Sequence, residues 1–240
     1  MNEMNVITGD YLWEQPTFVN EEKLEKESVK CLTLEHAMAA IRGVFADFLV
    51  PLLTIDRLRD GAIDGTRREF AFFGKVLVPF TDAVSQKDDF SVMNILKKHS
   101  TLVSGRNPYF TDNPLASLKS TGRAVTELEK LLSIGSTTIF DVLSHVQQNK
   151  LFEIPEELEP SMLAIGIGVI KELEAKNESI SAAWDNALTA PFSQLEKYVS
   201  YVSGTLGFAT HQGVKGLEFD RVLAILDDEQ AKTNLMRHPS

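Results

Sequence analysis

The chain has 240 residues, 43% of them hydrophobic and 24% charged, which is enough to bury a core in one large or two modest domains. Its formal net charge of -10 at pH 7 argues against a general nucleic-acid-coating protein, which usually has a basic surface. Cys31 is the single cysteine, and no apolar run is long enough to span a membrane, so we expect a cytoplasmic protein without disulfides.

The first part of the chain predicts a short α/β segment. Residues up to about 30 are polar and acidic, and the charge run over 21–27 is typical of a solvated helix or linker. The alternation of apolar and polar residues over 29–34 then predicts a strand. Apolar side chains at three- and four-residue steps predict one helix over 35–53.

The middle of the chain, from about 55 to 190, predicts helices only. An amphipathic segment covers 66–85, and Asp88 is expected to cap the helix that follows it. Further helices are predicted over 115–132, over 139–148 with Ser136 or Thr137 as the cap, from Ser179 to 188, and after Pro191.

Two strands are predicted near the other end of the chain, at 206–210 and 221–226. The second is a continuous apolar run followed by Asp227 and Asp228, as in a buried strand of a parallel sheet. About 150 mostly helical residues separate these strands from the one at 29–34, too many for a connection within one compact sheet. The predicted fold class is therefore mainly α with a small α/β part, in which a parallel sheet is interrupted by a large helical insertion.

A motif lies between the two late strands: Thr210-His-Gln-Gly-Val-Lys-Gly-Leu-Glu-Phe219. It resembles the fifth motif of the superfamily 1 DNA helicases similar to UvrD, Rep and PcrA, commonly written T-x-H-x-x-K-G-L-E-F. The match is continuous from Lys215 to Phe219, whereas Thr210 and His211 are adjacent here and separated by one residue in the family. In this family, a helical insertion called 2B lies within a RecA-like second motor domain. The resemblance implies a first motor segment at 1–53, a 2B-like insertion at 54–190 and a return segment at 191–240.

The resemblance also implies a function and site residues. The chain would be a fragment of an ATP-dependent helicase that moves along single-stranded DNA and unwinds duplex DNA, with 3′ to 5′ polarity. Thr210, His211 and Lys215 would contact the DNA backbone, which donors of these types suit. Gly216 and Glu218 would serve the nucleotide, because a carboxylate accepts hydrogen bonds from ribose hydroxyls.

Each of these residues also has a structural interpretation. Thr210 and His211 fit a capped turn with a partly buried histidine, Lys215 fits a solvated lysine, and Glu218 fits an ordinary first-turn glutamate. ATP and Mg²⁺ would be cofactors of the whole protein, and we expect none bound to this fragment. Single-stranded and duplex DNA are the expected partners, and the helical insertion offers a surface for protein partners.

The chain contains no G-x-x-x-x-G-K-[ST] phosphate loop and, by the resemblance, no final arginine motif. Residues 223–229 resemble a Walker B strand, but a phosphate loop to accompany it is missing. The histidines lack metal-ligand spacing. We therefore expect no catalytic residue, no metal site and no ATP hydrolysis by this chain alone. Two alternatives remain: a helical interaction or regulatory module without ATPase activity, and a fragment of a helicase–nuclease of the RecB/AddA kind.

Overall fold

The computed structural model of the protein describes residues 4–8, 29–103, 113–169, 179–210, 213–219 and 221–226. Its strands are β1 (Met4–Thr8), β2 (Val29–Thr33), β3 (Phe208–Thr210) and β4 (Arg221–Leu226). Its α-helices are α1 (His36–Arg42), α2 (Ala46–Leu53), α3 (Asp56–Asp64), α4 (Arg68–Phe72), α5 (Val78–Ser85), α6 (Asp89–His99), α7 (Pro114–Leu132), α8 (Ile139–Gln148), α9 (Glu159–Gly166), α10 (Ile180–Leu188) and α11 (Phe192–Val202). A π-helical turn, Phe73–Leu77, joins α4 to α5, and a 3₁₀ turn, Glu156–Leu158, precedes α9.

The strands form one parallel sheet in the order β1-β4-β2-β3. In the centre of the sheet, Cys31 of β2 lies opposite Leu223 of β4 on one side and Phe208 of β3 on the other. The predicted fold class, mainly α with a small parallel sheet, is confirmed. The predicted strand at 206–210 is shorter, beginning at Phe208, and β1 was not predicted, because its five residues carry no extended apolar run.

The chain divides into two compact units. The sheet unit comprises 1–46 and 200–240, and the helical unit comprises 47–199. The sequence placed the divisions at 53/54 and 190/191 instead. The later part of α2 and most of α11 fall in the helical unit because they supply core residues there: the rings of Phe48 and Tyr198 lie 4.9 Å apart.

The helical unit has an aromatic core of its own. The ring of Phe70 lies 5.3 Å from Trp184 and 5.9 Å from Tyr198, and Phe73 lies 6.0 Å from Phe48. All five of these side chains are almost completely buried. The hydroxyl of Tyr198 donates to the Ala62 carbonyl at 2.8 Å, so its polar group is satisfied within the core. Among the described helices, none combines the length and apolarity that a membrane crossing requires.

Two of the predicted helix caps are confirmed and one is wrong. Asp88 accepts from the Ser91 amide at the start of α6, and Ser179 accepts from the Ala182 amide at the start of α10. The cap of α8 is Thr138 rather than Ser136 or Thr137. Thr138 and Asp141 bond each other's backbone amides at 3.1 and 2.9 Å, and this reciprocal pair selects Thr138 over its neighbours.

Two predicted helices are not single regular α-helices. The helix expected over 35–53 is split into α1 and α2, because Val44 adopts a left-handed conformation with φ of 56°. The segment expected over 66–85 is helical without a break from Arg68 to Ser85, but it passes through the π-helical turn, in which the Val78 amide donates to the Phe73 carbonyl. Pro79, two residues after the end of this turn, has no N–H for the regular α-helical ladder.

Candidate functional site

The candidate site lies at the carboxyl ends of β2 and β3, where Thr33 and Thr210 are opposite each other. In parallel sheets, ligands bind beyond these strand ends. The polypeptide that leaves β3 and enters β4 carries the helicase-like motif, and its described part, Thr210 with 213–219, is called the motif loop below. His211 lies outside the described residues, so its predicted role in DNA binding stays a prediction.

Thr210 is only 3% exposed, and its hydroxyl is engaged inside the protein. Its Oγ1 accepts from the Gly213 amide at 3.2 Å. This bond matches the turn-cap role that the sequence left as the alternative to DNA contact.

Gly216 lies in a type II turn at the outer end of the motif loop. The Leu217 amide donates to the Val214 carbonyl at 3.0 Å, and Gly216 has φ of 84°, as the third position of such a turn requires. Residues 215–218 are exposed, and among them the apolar side chain of Leu217 is 63% exposed. Neither Lys215 nor Glu218 makes a hydrogen bond or an ion pair with another described residue. Both charged groups are therefore presented to solvent by a glycine-dependent turn.

Lys30 of β2 contacts both the segment just before β3 and Phe219, the last residue of the motif loop. Its ammonium donates to the carbonyls of Gly204 (3.1 Å) and Leu206 (2.5 Å), just before β3, and lies 6.0 Å from the centre of the Phe219 ring. Burial lowers the pKa of Lys30. Sequence reasoning missed this residue, since a lysine in an alternating strand pattern is typical of a solvent-facing position.

His36 of α1 and Tyr201 of α11 form a hydrogen-bonded pair within the sheet unit. The Tyr201 hydroxyl is 2.8 Å from His36 Nδ1, and the two rings meet edge to face with centroids 6.1 Å apart. Burial lowers the pKa of His36 and raises the pKa of Tyr201 to about 12. Because these residues are 165 positions apart in the chain, no local sequence pattern could have paired them.

The described residues contain no group of three or more His, Cys, Asp or Glu side chains placed to hold a metal ion. Asp227 and Asp228, which follow the Walker B-like strand, lie outside the described residues.

No protein-family model, curated protein or solved structure matches the chain. The chemistry open to the site follows from its own residues. The Lys215 ammonium suits a phosphate oxygen, and the Glu218 carboxylate suits a hydroxyl pair. Both lie on one exposed turn, and the Thr210 side chain holds the start of the loop through the Gly213 amide. Such an arrangement can bind a polyanion or a sugar, and none of its described groups forms a nucleophile–base pair.

Proposed function

We propose that this chain is part of the second motor domain of an ATP-dependent DNA translocase or helicase, with a RecA-like sheet interrupted by a 2B-like helical insertion. The observation that carries the proposal is the strand pairing. β2 and β3, at opposite ends of the helical segment, are neighbours in one parallel sheet, and the helicase-like motif follows β3 at the edge where ligands bind. A chance match to the motif gives no reason for this placement.

In this proposal, the residues of the motif loop have separate roles. Lys215 pairs with phosphates of single-stranded DNA, and Glu218 accepts hydrogen bonds from the nucleotide ribose. Gly216 supplies the left-handed backbone that displays both. Thr210 holds the base of the loop. ATP and Mg²⁺ serve the whole protein in the cytoplasm, and duplex DNA is opened with 3′ to 5′ polarity.

The test is DNA binding by the 240-residue chain. A fluorescent single-stranded dT oligomer is titrated and its anisotropy measured at several salt concentrations. Because the net charge is -10, unspecific attraction of the bulk protein to DNA is disfavoured, so binding reports a local contact. We expect weak, salt-dependent binding that Lys215→Ala weakens further, with the salt slope reduced by about one.

Lys97→Ala is the matched control, because Lys97 is an exposed lysine on α6 of the helical unit. Loss of binding with Lys97→Ala but not with Lys215→Ala would show that the motif loop does not contact DNA. Complete absence of binding at low salt would contradict the proposal.

A helical interaction module is the second candidate, and one observation favours it. Phe90 is 77% exposed and Leu115 is 64% exposed. The helices that carry them, α6 and α7, also border a cavity of about 400 Å³ with Val92, Met93 and Leu118 in its lining. Exposed apolar surface of this kind is typical of protein-binding sites. The helicase–nuclease alternative assigns the same roles to these residues, because the nuclease would be a separate domain.

A further inference from the structure

We propose that Lys30 is a positioning residue, whose ammonium group holds the end of the motif loop through the ring of Phe219. Lys30 Nζ lies over this ring, 6.0 Å from its centre, at a distance where a cation is attracted to an aromatic face. Phe219 directly follows Glu218, so a fixed ring also fixes the charged end of the exposed turn. Any effect on ligand affinity rests on the function proposed above, whereas the effect on the loop itself does not.

The loop is a crossover connection, which needs support at both ends. β3 and β4 are parallel and have β2 between them, so the chain runs from the carboxyl end of β3, past β2, to the amino end of β4. At its start, the Gly213 amide donates to Thr210 Oγ1 at 3.2 Å. Residues 215–218 are then exposed, and the next residue, Phe219, is half-buried. Lys30 of β2 therefore meets the loop where it returns to the sheet unit.

The ammonium group is itself held in place by the segment before β3. Lys30 Nζ donates to the Gly204 carbonyl at 3.1 Å and to the Leu206 carbonyl at 2.5 Å. This segment is also bonded to the backbone of β2, because the Cys31 amide donates to the Gly207 carbonyl at 2.8 Å. A lysine side chain loses rotamer entropy when it is ordered. Since the two carbonyls already order this one, its contact with the ring costs little further entropy.

The exposed turn lies between these two attachments. It is closed by the Leu217 amide, which donates to the Val214 carbonyl at 3.0 Å. Gly213 directly precedes the turn, and Phe219 follows it after Glu218. Attachment at both ends orders the turn before a ligand arrives, which lowers the entropy lost on binding.

A double-mutant cycle on the full chain, followed by NMR hydrogen exchange at the Leu217 amide, tests the proposal. Exchange of this amide reports opening of the turn. Lys30→Met keeps the apolar stem without the charge, and Phe219→Leu keeps an apolar side chain without the ring. We expect each substitution to raise the exchange rate about two- to fivefold. Because both remove the same contact, the double variant should exchange no faster than the faster single variant.

The proton spectrum of Lys30 gives a second readout of the same contact. An aromatic ring shifts the signals of protons above its face upfield, so we expect a small upfield shift of the Lys30 ε-methylene protons, which Phe219→Leu abolishes. Lys97→Met is the matched control, because it removes an exposed ammonium group of the helical unit. It should change neither this signal nor the exchange of the Leu217 amide.

The outcomes separate this proposal from the proposed function. If the two substitutions act additively, or if Phe219→Leu leaves both readouts unchanged, Lys30 orders only the segment before β3 and the inference fails. If the cycle is non-additive while wild-type protein binds no dT oligomer, the inference stands and the proposed function fails. If both hold, Phe219→Leu, which changes no charge, should weaken dT-oligomer binding about two- to fivefold. Should Lys30→Met not fold, as judged by circular dichroism, Phe219→Leu decides the question through the Lys30 signal and the exchange rate.

Discussion

Val44 holds a backbone conformation that β-branched residues rarely adopt. Its φ is 56°, and it is the left-handed residue of a Schellman motif that ends α1. The Phe45 amide donates to the Ala40 carbonyl at 2.9 Å, and the Val44 amide donates to the Ile41 carbonyl at 3.3 Å. Phe45 is fully buried whereas Val44 is 55% exposed, so the motif keeps Phe45 in the core at the expense of strain at Val44.

Val44→Gly should therefore stabilise the protein. Relief of left-handed strain, about 1–2 kcal/mol, exceeds the added entropy of glycine in the unfolded chain, leaving a net gain of about 0.5–1 kcal/mol. Urea unfolding at constant m-value measures the change. Lys150→Gly is the matched comparison, because Lys150 is exposed and unbranched with φ of 54° at the equivalent position after α8. A loss of stability in Val44→Gly that exceeds any change in Lys150→Gly would show that Val44 is not strained.

The same residues show why sequence analysis failed at helix ends. Left-handed residues after α1, α5 and α8 are Val44, Lys87 and Lys150, none of which is a usual stop signal. By contrast, the left-handed residue after α11 is Gly204, with φ of 77°, and a glycine at this position is a usual stop signal. The prediction of one helix over 35–53 was wrong for this reason: what ends α1 is the burial of Phe45, which local sequence does not reveal.

At the scale of elements, the strands were easier to predict than the contacts between them. Apolar runs and alternation located β2, β3 and β4, and the motif located Lys215, Gly216 and Glu218. Lys30, His36 and Tyr201 escaped detection, because their partners lie more than 160 residues away in sequence and meet them only through sheet pairing. The order of strands and the hydrogen bonds of these three residues are therefore properties of tertiary structure.

One close approach between elements gives a counterintuitive prediction. Gly61 of α3 is buried beneath the side chain of Arg67, and a Cβ there would collide with Arg67 Cγ and Cδ. Arg67 Nε lies 2.8 Å from Glu69 Oε1, and Glu69 is 1% exposed. Gly61→Ala should thus lower the free energy of unfolding by about 2–3 kcal/mol, since it displaces the partner of a buried carboxylate. Helix propensity alone predicts a gain of about 1 kcal/mol.

Gly122→Ala is the control for that experiment, because Gly122 lies within α7 and a Cβ there meets nothing within 4 Å. Chemical denaturation should show stabilisation by up to about 1 kcal/mol for this variant. In a Glu69→Gln background, the loss from Gly61→Ala should shrink, because a neutral amide is less costly to leave without its partner. Equal gains from both alanines would rule out the Arg67 contact as a constraint.

At the scale of the whole molecule, the two units differ in how the chain builds them. The sheet unit needs two distant segments, 1–46 and 200–240, whereas the helical unit is one continuous segment with a buried aromatic core. Continuity matters because the contacts of a continuous segment need no long loop to be closed first. A helical unit that folds on its own would also explain how two strands can pair although the whole unit lies between them in sequence.

We therefore predict that a fragment covering 46–203, which keeps α2 and α11 whole, folds alone. It should unfold cooperatively on heating, as followed by circular dichroism.

Tyr198→Phe supplies the sharper measurement, because the hydroxyl and its Ala62 acceptor both lie in the helical unit. Loss of this buried hydrogen bond should lower the free energy of unfolding by about 1–2 kcal/mol, both in the fragment and in the full chain. Tyr201→Phe should affect only the full chain, since its hydrogen-bond partner His36 is missing from the fragment. If the fragment unfolds without cooperativity, or if Tyr198→Phe is costly only in the full chain, the helical core depends on the sheet segments.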